Sequence, residues 1–432
     1  MKQPVEAVLV GAGGRGFDPF GAYALQHPNE LRYVAVAEPV AERRERFARL
    51  HRIDPRYSFS SAEELFACGQ LAPALINATG DRQHVAVSVP ALRLGYHVLQ
   101  EKPMATTPHD CVRIVRAAEE AGRILQIGHV LRFAPFFVAV KEAVASGRIG
   151  EVMTVDHREN VAYWHMAHSF VRGKWRNQAD SSPMILAKSC HDMDFLRWVV
   201  DRPCERVVSF GSLSHYRRES VGSEIPDRCT DGCPIADSCA FYAPRFYLSL
   251  EPGWPVCDLS VDQRSDLSPE ERMEALRTGP YGRCVYRCDN DVVDHQVAIL
   301  EFVGGVTATF TMHGFSAVPG RTMRYDGTRG TLLAGEGPEG VRAHYHLGDR
   351  EEALHIRPVA GGHGGGDVGL IRAFLQAVRE GGGEVLTSAR VSLESHLMCF
   401  AAEKSRLEGC VVDLVAYARQ LEAEVAAEDG RA

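Results

Sequence analysis

The chain has 432 residues, 45% of them apolar and 24% charged, which is enough for two or three domains with cores of their own. Its 48 basic residues are outnumbered by 56 acidic ones, and the net charge of −8 disfavours a nucleic-acid or anionic-membrane partner. No run approaches the roughly 18 apolar residues of a membrane span, and the N-terminus lacks a signal-peptide pattern, so we expect a cytoplasmic protein.

The chain begins with a predicted strand and a glycine-rich turn, VEAVLVGAGGRG. The glycines are spaced G-x-G-x-x-G between this strand and a predicted helix, where they permit a tight turn, close approach to a pyrophosphate and close helix–strand packing. The first amides of the helix would face the phosphates. We predict that a dinucleotide binds at this turn, formed by Gly11, Gly13, Gly14, Arg15 and Gly16.

Strands and helices then alternate as in a doubly wound parallel sheet, with strands predicted at 33–37, 57–59, 74–78, 97–100 and 124–127. Residues 1–128 are therefore predicted to form a dinucleotide-binding Rossmann domain. Glu38 ends the second strand about 20 residues beyond the turn, where a carboxylate binds the adenosine ribose. A carboxylate would repel a 2′-phosphate, which favours NAD, although Arg43 and Arg44 leave NADP open. The alternative for Glu38 is a solvated acid at a strand end.

Candidate site residues follow the fourth and fifth strands, whose carboxyl ends should face the ligand crevice. Thr79 and His84 are predicted to line the dinucleotide. Glu101 and Lys102 precede Pro103, and a cis peptide there would aim the lysine at the cleft. Lys102 could donate to a substrate oxygen or relay a proton, whereas the alternative is a surface ion pair with Glu101.

The second part, residues 129–432, reads as a substrate-binding and oligomerisation domain of the α+β class. Strands predicted at 152–158, 205–213, 292–303 and 306–313 indicate a largely antiparallel, open sheet flanked by helices at 184–200, 370–379, 392–407 and from 412. His191 lies on the first of these helices and could serve as a base, or it could be a core histidine.

An irregular, cysteine-rich insertion at about 214–290 is too long for a simple loop and holds six of the twelve cysteines. A structural zinc would order such a segment, because metal binding contributes to folding. An iron–sulfur cluster and scattered free thiols are the alternatives. The favoured ligands are Cys229, Cys233, Cys239 and Cys288, with Cys284 as a substitute.

Two further stretches could contact a substrate. Aromatic and cationic residues at 163–165, at His168 and at 174–176 are typical of sugar sites but also of ordinary interfaces. The glycine-rich run 361–366 ends at Asp367, a candidate helix cap, and forms either a flexible turn or a loop that brings His363 to the substrate.

Together the motifs resemble the Gfo/Idh/MocA oxidoreductases, the family of glucose–fructose oxidoreductase and inositol dehydrogenase. The resemblance rests on GAGGRG with Glu38, EKP at 101–103, HDMDFLRW at 191–198, and the domain order. It implies that Lys102 lies near the hydride acceptor, that His191 is the acid/base, and that the protein is a homo-oligomer. Family dehydrogenases usually carry an aspartate four residues before this histidine. Here that residue is Ala187, so Lys188 is a candidate second proton donor, or a solvated helix residue.

These features predict an NAD(P)-dependent oxidoreductase that moves hydride between nicotinamide and a carbinol carbon of a sugar, an inositol-like polyol or a glycoside. One alternative is a redox-neutral enzyme that eliminates or hydrolyses a glycoside through a transient keto sugar. A second alternative is a nucleotide-sensing protein without catalysis.

Overall fold

The computed structural model describes residues 3–357, 359 and 361–429. The N-terminal part forms a six-stranded, wholly parallel sheet with the strand order β3-β2-β1-β4-β5-β6, so the predicted doubly wound sheet is confirmed. Its strands are β1 (Val5–Val10), β2 (Leu31–Ala37), β3 (Ser58–Phe59), β4 (Ala74–Asn77), β5 (His97–Gln100) and β6 (Leu125–Ile127).

The sheet is parallel because its central strands are apolar on both faces and are covered by helices on both sides. Every residue of β4 and β5 is buried, and only Glu6 of β1 is not. The covering helices are α1 (Ala22–Gln26), α2 (Ala41–His51), α3 (Ala62–Ala67), α4 (His84–Arg93) and α5 (Pro108–Ala121). Thr107 caps α5, since its hydroxyl accepts from the Asp110 amide at 3.1 Å.

The second part forms a nine-stranded sheet that is antiparallel except between β7 and β10, as expected from its alternating pattern. Along β10, for example, Ala308, Phe310 and Met312 are buried while the threonines between them face outward. The strands are β7 (Val152–Ala162), β8 (Cys204–Ser212), β9 (His295–Phe302), β10 (Val306–Ser316), β11 (Gly320–Gly327), β12 (Gly330–Gly335), β13 (Gly340–Tyr345), β14 (Arg350–Leu354) and β15 (Val412–Asp413).

The remaining helices are α6 (Pro135–Ala145), α7 (Tyr163–His165), α8 (Met184–Ala187), α9 (Cys190–Val200), α10 (Ala243–Leu248), α11 (Pro269–Thr278), α12 (Gly366–Arg379), α13 (Ala389–Glu408) and α14 (Leu414–Asp429). Helix α12 and the start of α13 lie at the β6 edge of the parallel sheet, and α14 packs against α5. The Ile127 amide donates to the Thr387 carbonyl at 2.8 Å, and the Gln126 amide to the Leu370 carbonyl at 3.2 Å. The division at residue 128 stays a prediction. None of the helices among the described residues is long and apolar enough to cross a membrane.

Candidate active site

The glycine-rich turn has the backbone that close approach to phosphate requires. Gly11 has a φ of +93°, and a Cβ there would lie 2.7 Å from the Ala78 carbonyl. A Cβ on Gly16 would overlap the Gly11 carbonyl oxygen. A Cβ on Gly13, in contrast, would have no described protein atom within 4 Å. Gly11 and Gly16 are therefore fixed by packing, and Gly13 leaves a free surface where a pyrophosphate fits.

Glu38 lies beside this turn at the end of β2. Its carboxylate accepts hydrogen bonds from the amides of Ala12 at 2.7 Å and Val40 at 3.0 Å, and the residue is only 4% exposed. The carboxylate is therefore held in place and suits the hydroxyls of an unphosphorylated ribose. Arg44 donates to the Glu38 carbonyl at 2.8 Å, and Arg43 donates to the Val261 carbonyl at 2.6 Å. These two bonds direct both arginines to protein carbonyls.

Arg15 ties the turn to the rest of the cleft. Its guanidinium donates to Glu101 at 2.6 Å and to Asp367, in the first turn of α12, at 2.7 Å. The two carboxylates raise the pKa of Arg15 despite the opposing effect of burial, and Arg15 keeps the pKa of Asp367 below its usual range. Arg15 and Glu101 thus position the turn, and their charges are compensated within the protein.

His84 and Thr79 connect the ends of two strands. The His84 ring is fully buried, with Nδ1 2.6 Å from the Pro103 carbonyl and Nε2 3.3 Å from the Thr79 carbonyl. Burial lowers the pKa of His84. The Thr79 hydroxyl donates to Asn77 at 2.7 Å. Both His84 ring nitrogens thus face backbone carbonyls, and the neutral ring, which carries one N–H, donates to one of them. This histidine holds the two loops together, and Thr79 beside it is half-buried.

Lys102 follows β5 and is half-buried, and the Lys102–Pro103 peptide bond is cis. Its ammonium donates to the Ala187 carbonyl at 2.6 Å and lies 5.7 Å from the centre of the Trp175 ring. The prediction of one continuous helix over 184–200 is wrong, because the segment is divided into α8 and α9 by a break at Lys188 and Ser189. The break leaves the Ala187 carbonyl free to accept from Lys102.

His191 lies in the first turn of α9 and is 6% exposed. Its Nδ1 is buried without a protein partner. Burial lowers the pKa of His191 well below its usual value, and the positive charge of Lys102 lowers it further. The imidazole is therefore neutral near pH 7 and can accept a proton.

Behind His191 lies a second buried histidine, His129, which the sequence reasoning missed. The two ring centres are 5.8 Å apart, and neither nitrogen of His129 has a hydrogen bond. Asp194 lies 3.8 Å from His129 and is held by two bonds from Arg132, at 2.7 and 2.8 Å. Burial lowers the pKa of His129 to about 4. Its place directly after β6 was the available signal, since strand ends form the cleft.

Lys188 is the first member of a chain of charged side chains. Its ammonium lies 3.3 Å from Glu159, which pairs with Arg321 at 2.7 Å. Arg321 also donates to Asp192 at 2.7 Å, and Asp192 contacts His157 at 2.8 Å. Lys188 is therefore neither free nor simply solvated. It is held by a buried carboxylate at the rim of the cleft.

Two further histidines, His363 and His165, lie near His191 and Lys188. The His363 ring is 5.9 Å from the His191 ring and is held by Asp367 at 3.0 Å. The glycine-rich run 361–366 thus brings His363 toward His191, which agrees with the interpretation of this run as a substrate loop rather than a simple flexible turn. Burial, and then the nearby Lys188, lower the pKa of His165 well below its usual value. The His165 ring contacts Trp254 of the insertion at 4.9 Å.

The insertion is held together without the predicted metal. Among the described residues, no group of three or more histidine, cysteine or acidic side chains is placed to hold a metal ion. Instead the buried Arg172 guanidinium donates to the carbonyls of Phe241 and Arg283, each at 2.7 Å, and to the Cys229 sulfur at 3.6 Å. The predicted zinc or iron–sulfur site is thus corrected for Cys229, Cys233, Cys239 and Cys288, and for Cys284 as a substitute.

Comparisons with known proteins agree with this geometry. A family model described as "Oxidoreductase family, NAD-binding Rossmann fold" matches residues 5–129, and one described as "Oxidoreductase family, C-terminal alpha/beta domain" matches residues 141–414. The chain is 25% identical over 327 residues to YteT of Bacillus subtilis, which is named as an oxidoreductase, covering 72% of this chain and 74% of YteT.

Inositol 2-dehydrogenase 2 of Saccharopolyspora erythraea is 33% identical over 129 residues, which cover 29% of this chain and 34% of that relative. The fold is similar to the WlbA dehydrogenase of Bordetella pertussis, solved with NADH and UDP-GlcNAcA, with a TM-score of 0.64 and 19% identity over 95% of this chain and 99% of that chain. The two family models, which together match most of the chain, show that this protein is an NAD-binding oxidoreductase of the Gfo/Idh/MocA family.

Proposed function

We propose that this protein moves hydride between NAD and a carbinol carbon of a sugar, polyol or glycoside. The single observation that carries the proposal is the convergence of the Lys102 ammonium and the neutral His191 imidazole at the carboxyl edge of the parallel sheet. This edge also holds the glycine-rich turn, so the two groups lie at the ligand crevice of a dinucleotide fold.

The cleft fits NAD. The backbone at Gly11 and Gly16 forms the turn, Gly13 leaves open surface for phosphate, and Glu38 offers a fixed acceptor to the ribose. When bound, NAD supplies the hydride acceptor or donor. We further propose that Glu38 favours NAD over NADP, because a carboxylate at this position repels a 2′-phosphate.

The chain's own residues would handle the proton. His191 is neutral because its pKa is lowered, so its imidazole can take the hydroxyl proton as the carbinol carbon is oxidised. Lys102 would place a positive charge at the same oxygen and stabilise the alkoxide that develops. We assign Lys188 to substrate orientation, since Glu159 holds its ammonium at the rim. His129 would act through His191, by holding the ring from behind.

The aromatic groups beside this site suit a sugar. Trp164 lies 5.5 Å from Trp254, which is 49% exposed, and both border His165. Aromatic rings of this kind offer an apolar face to the C–H face of a pyranose, while the charged groups contact its hydroxyls.

A redox-neutral reaction is the second candidate, and Ala187 is the observation that favours it. The position holds no carboxylate to pair with His191, and its backbone carbonyl binds Lys102 instead. Oxidation to a transient keto sugar would acidify the neighbouring C–H bond. A substituent could then be eliminated, after which the hydride returns to the sugar. Such a reaction produces no net NADH.

We also propose a homo-oligomer in the cytoplasm. The outward face of the nine-stranded sheet exposes apolar side chains, among them Phe210 at 70% and Ile299 at 47% exposed. A second copy of this face would cover them. Light scattering of the parent and of a Phe210→Ser variant tests this, with a smaller mass expected for the variant.

The experiment that tests the reaction is a screen of inositols, sugars, sugar acids and glycosides with NAD. NADH absorbance reports net oxidation, and mass spectrometry of the same mixtures reports redox-neutral products. Formation of NADH with a panel member supports the dehydrogenase. A changed product without NADH supports the second candidate, and no change across a broad panel contradicts both.

A further inference from the structure

Part of the insertion crosses from the substrate side of the molecule to the dinucleotide-binding turn. It consists of the short helical turn Val256–Leu259 followed by residues 260–264, and we name residues 256–264 the strap. Arg43 donates to the Val261 carbonyl at 2.6 Å, and Arg46 donates to the Asp262 carbonyl at 2.6 Å. Both arginines lie on α2, which begins three residues after Glu38. The strap is thus fixed beside the ribose end of the cleft.

Gln263, within the strap, lies against the phosphate-binding turn. Its Oε1 is 3.3 Å from the position that a Cβ on Gly14 would occupy. This oxygen is buried and has no hydrogen-bond partner, and the backbone of Gln263 adopts a φ of +61°. A buried acceptor without a partner is unfavourable, so its place beside Gly14 points to a ligand group.

The strap is also fixed at its other end. Asp258 contacts Nε2 of His168 at 3.1 Å, and His168 lies just beyond the helical turn that carries Trp164 and His165. Burial lowers the pKa of His168, while Asp258 opposes this effect. The Arg46 guanidinium lies 4.6 Å from the Phe17 ring, which packs next to the glycine-rich turn. The strap therefore joins the wall of the substrate site to the cofactor site.

We propose that the strap covers the ribose–pyrophosphate part of bound NAD and that the Gln263 side-chain amide contacts the cofactor beside Gly14. The amide can accept from a ribose hydroxyl or, after rotation about its last torsion, donate to a phosphate oxygen. Release of the cofactor then requires the strap to move, and this slows dissociation. The inference rests on the proposed NAD site, and it adds a residue from the second half of the chain.

The test measures release of NADH without any substrate. The protein is loaded with NADH, excess NAD is added in a stopped-flow instrument, and the loss of NADH fluorescence gives the dissociation rate. Gln263→Ala removes the amide, and the Arg43→Met/Arg46→Met double variant unpins the strap. Arg49→Met is the control, because Arg49 lies on an exposed part of the same helix. Thermal melting of the cofactor-free proteins checks that each variant is folded.

We expect NADH to leave Gln263→Ala about tenfold faster than the parent, the effect of one lost hydrogen bond to a charged group or hydroxyl. The double variant should release it at least as fast, and Arg49→Met at the parental rate. If the double variant fails to fold, Gln263→Ala decides alone. If the NADH dissociation rate of Gln263→Ala is within about twofold of the parental rate, the proposed role of the strap is wrong, while the proposed NAD site is unaffected. A parent that binds no NADH overturns both proposals.

Discussion

Replacing Lys102 with methionine is the perturbation that separates a catalytic lysine from a structural one. Methionine keeps most of the side-chain length but removes the ammonium that donates to the Ala187 carbonyl at 2.6 Å. The carbonyl belongs to the last residue of α8, at a break in the helix, where water can replace the lost donor. We therefore expect a folded protein in which the charge at the reacting oxygen is absent.

The magnitude follows from the role of that charge. Loss of one preorganised group that stabilises an oxyanion lowers kcat by about a hundred- to a thousandfold. A second effect comes from His191, because after burial the charge of Lys102 contributes most to its lowered pKa. Without Lys102 the pKa of His191 rises. The acidic limb of the activity profile should therefore shift to higher pH, since the base is protonated more readily.

The assay compares the parent, Lys102→Met and the control Lys404→Met, whose exposed ammonium pairs only with Glu408 among the bonds described. Turnover of the best panel substrate is measured across pH, and NADH affinity is measured by fluorescence. We expect turnover to fall in Lys102→Met alone while NADH affinity stays within about twofold. A variant with parental turnover, or one whose only defect is weaker NADH binding, would refute the role of Lys102.

Three further predictions concern the cofactor, the insertion and the pH dependence of stability. Glu38→Gln should weaken NAD binding about tenfold and reduce the ratio of the affinity for NAD to that for NADP. Titrations with both cofactors measure this ratio, and an unchanged ratio would contradict the role of Glu38. Arg172→Met should lower the melting temperature, because three acceptors in the insertion lose their donor, whereas a chelator should leave the parent's melting temperature unchanged. A large chelator effect would restore the metal hypothesis. His396 lies fully buried on α13, and burial lowers its pKa to about 3. As pH falls from about 6.5 toward that value, His396 is protonated in the unfolded chain but stays neutral in the folded chain. The free energy of unfolding therefore decreases. His396→Asn should make this decrease shallower in urea titrations, and an unchanged slope would argue against the assignment.

The features that local sequence determines were predicted well. Gly16 is required by its backbone contact with Gly11 in the same strand–turn–helix unit, and Glu38 lies at the end of the next strand. The spacing also identified Gly11, although the backbone that excludes a side chain there belongs to Ala78, after β4. The hydrophobic pattern likewise predicted both sheets. Strands that are buried on both faces are apolar throughout, and strands that are buried on one face alternate between apolar and polar residues.

The wrong predictions concern places where contacts between residues far apart in the chain determine the structure. At the break between α8 and α9 the Ala187 carbonyl accepts from Lys102, 85 residues away in the chain, and the helical pattern of 184–200 gave no sign of this contact. The cysteines have the residue types of a metal site, but Arg172 lies 57 residues from Cys229 and puts its guanidinium next to that thiol. His129 could have been proposed from its place after β6, by the strand-end rule that was applied to Lys102.

The central claim is that Lys102 and His191 support hydride transfer at a carbinol carbon. It is tested most directly by a substrate labelled with deuterium at that carbon, incubated with NAD and with the parent, Lys102→Met or His191→Asn. Mass spectrometry of the nucleotide and of the sugar then follows the label. We predict that the parent moves deuterium to the nucleotide, or through it back to the sugar, and that both variants are slower by about a hundredfold or more. Equal transfer by the parent and both variants would contradict the account.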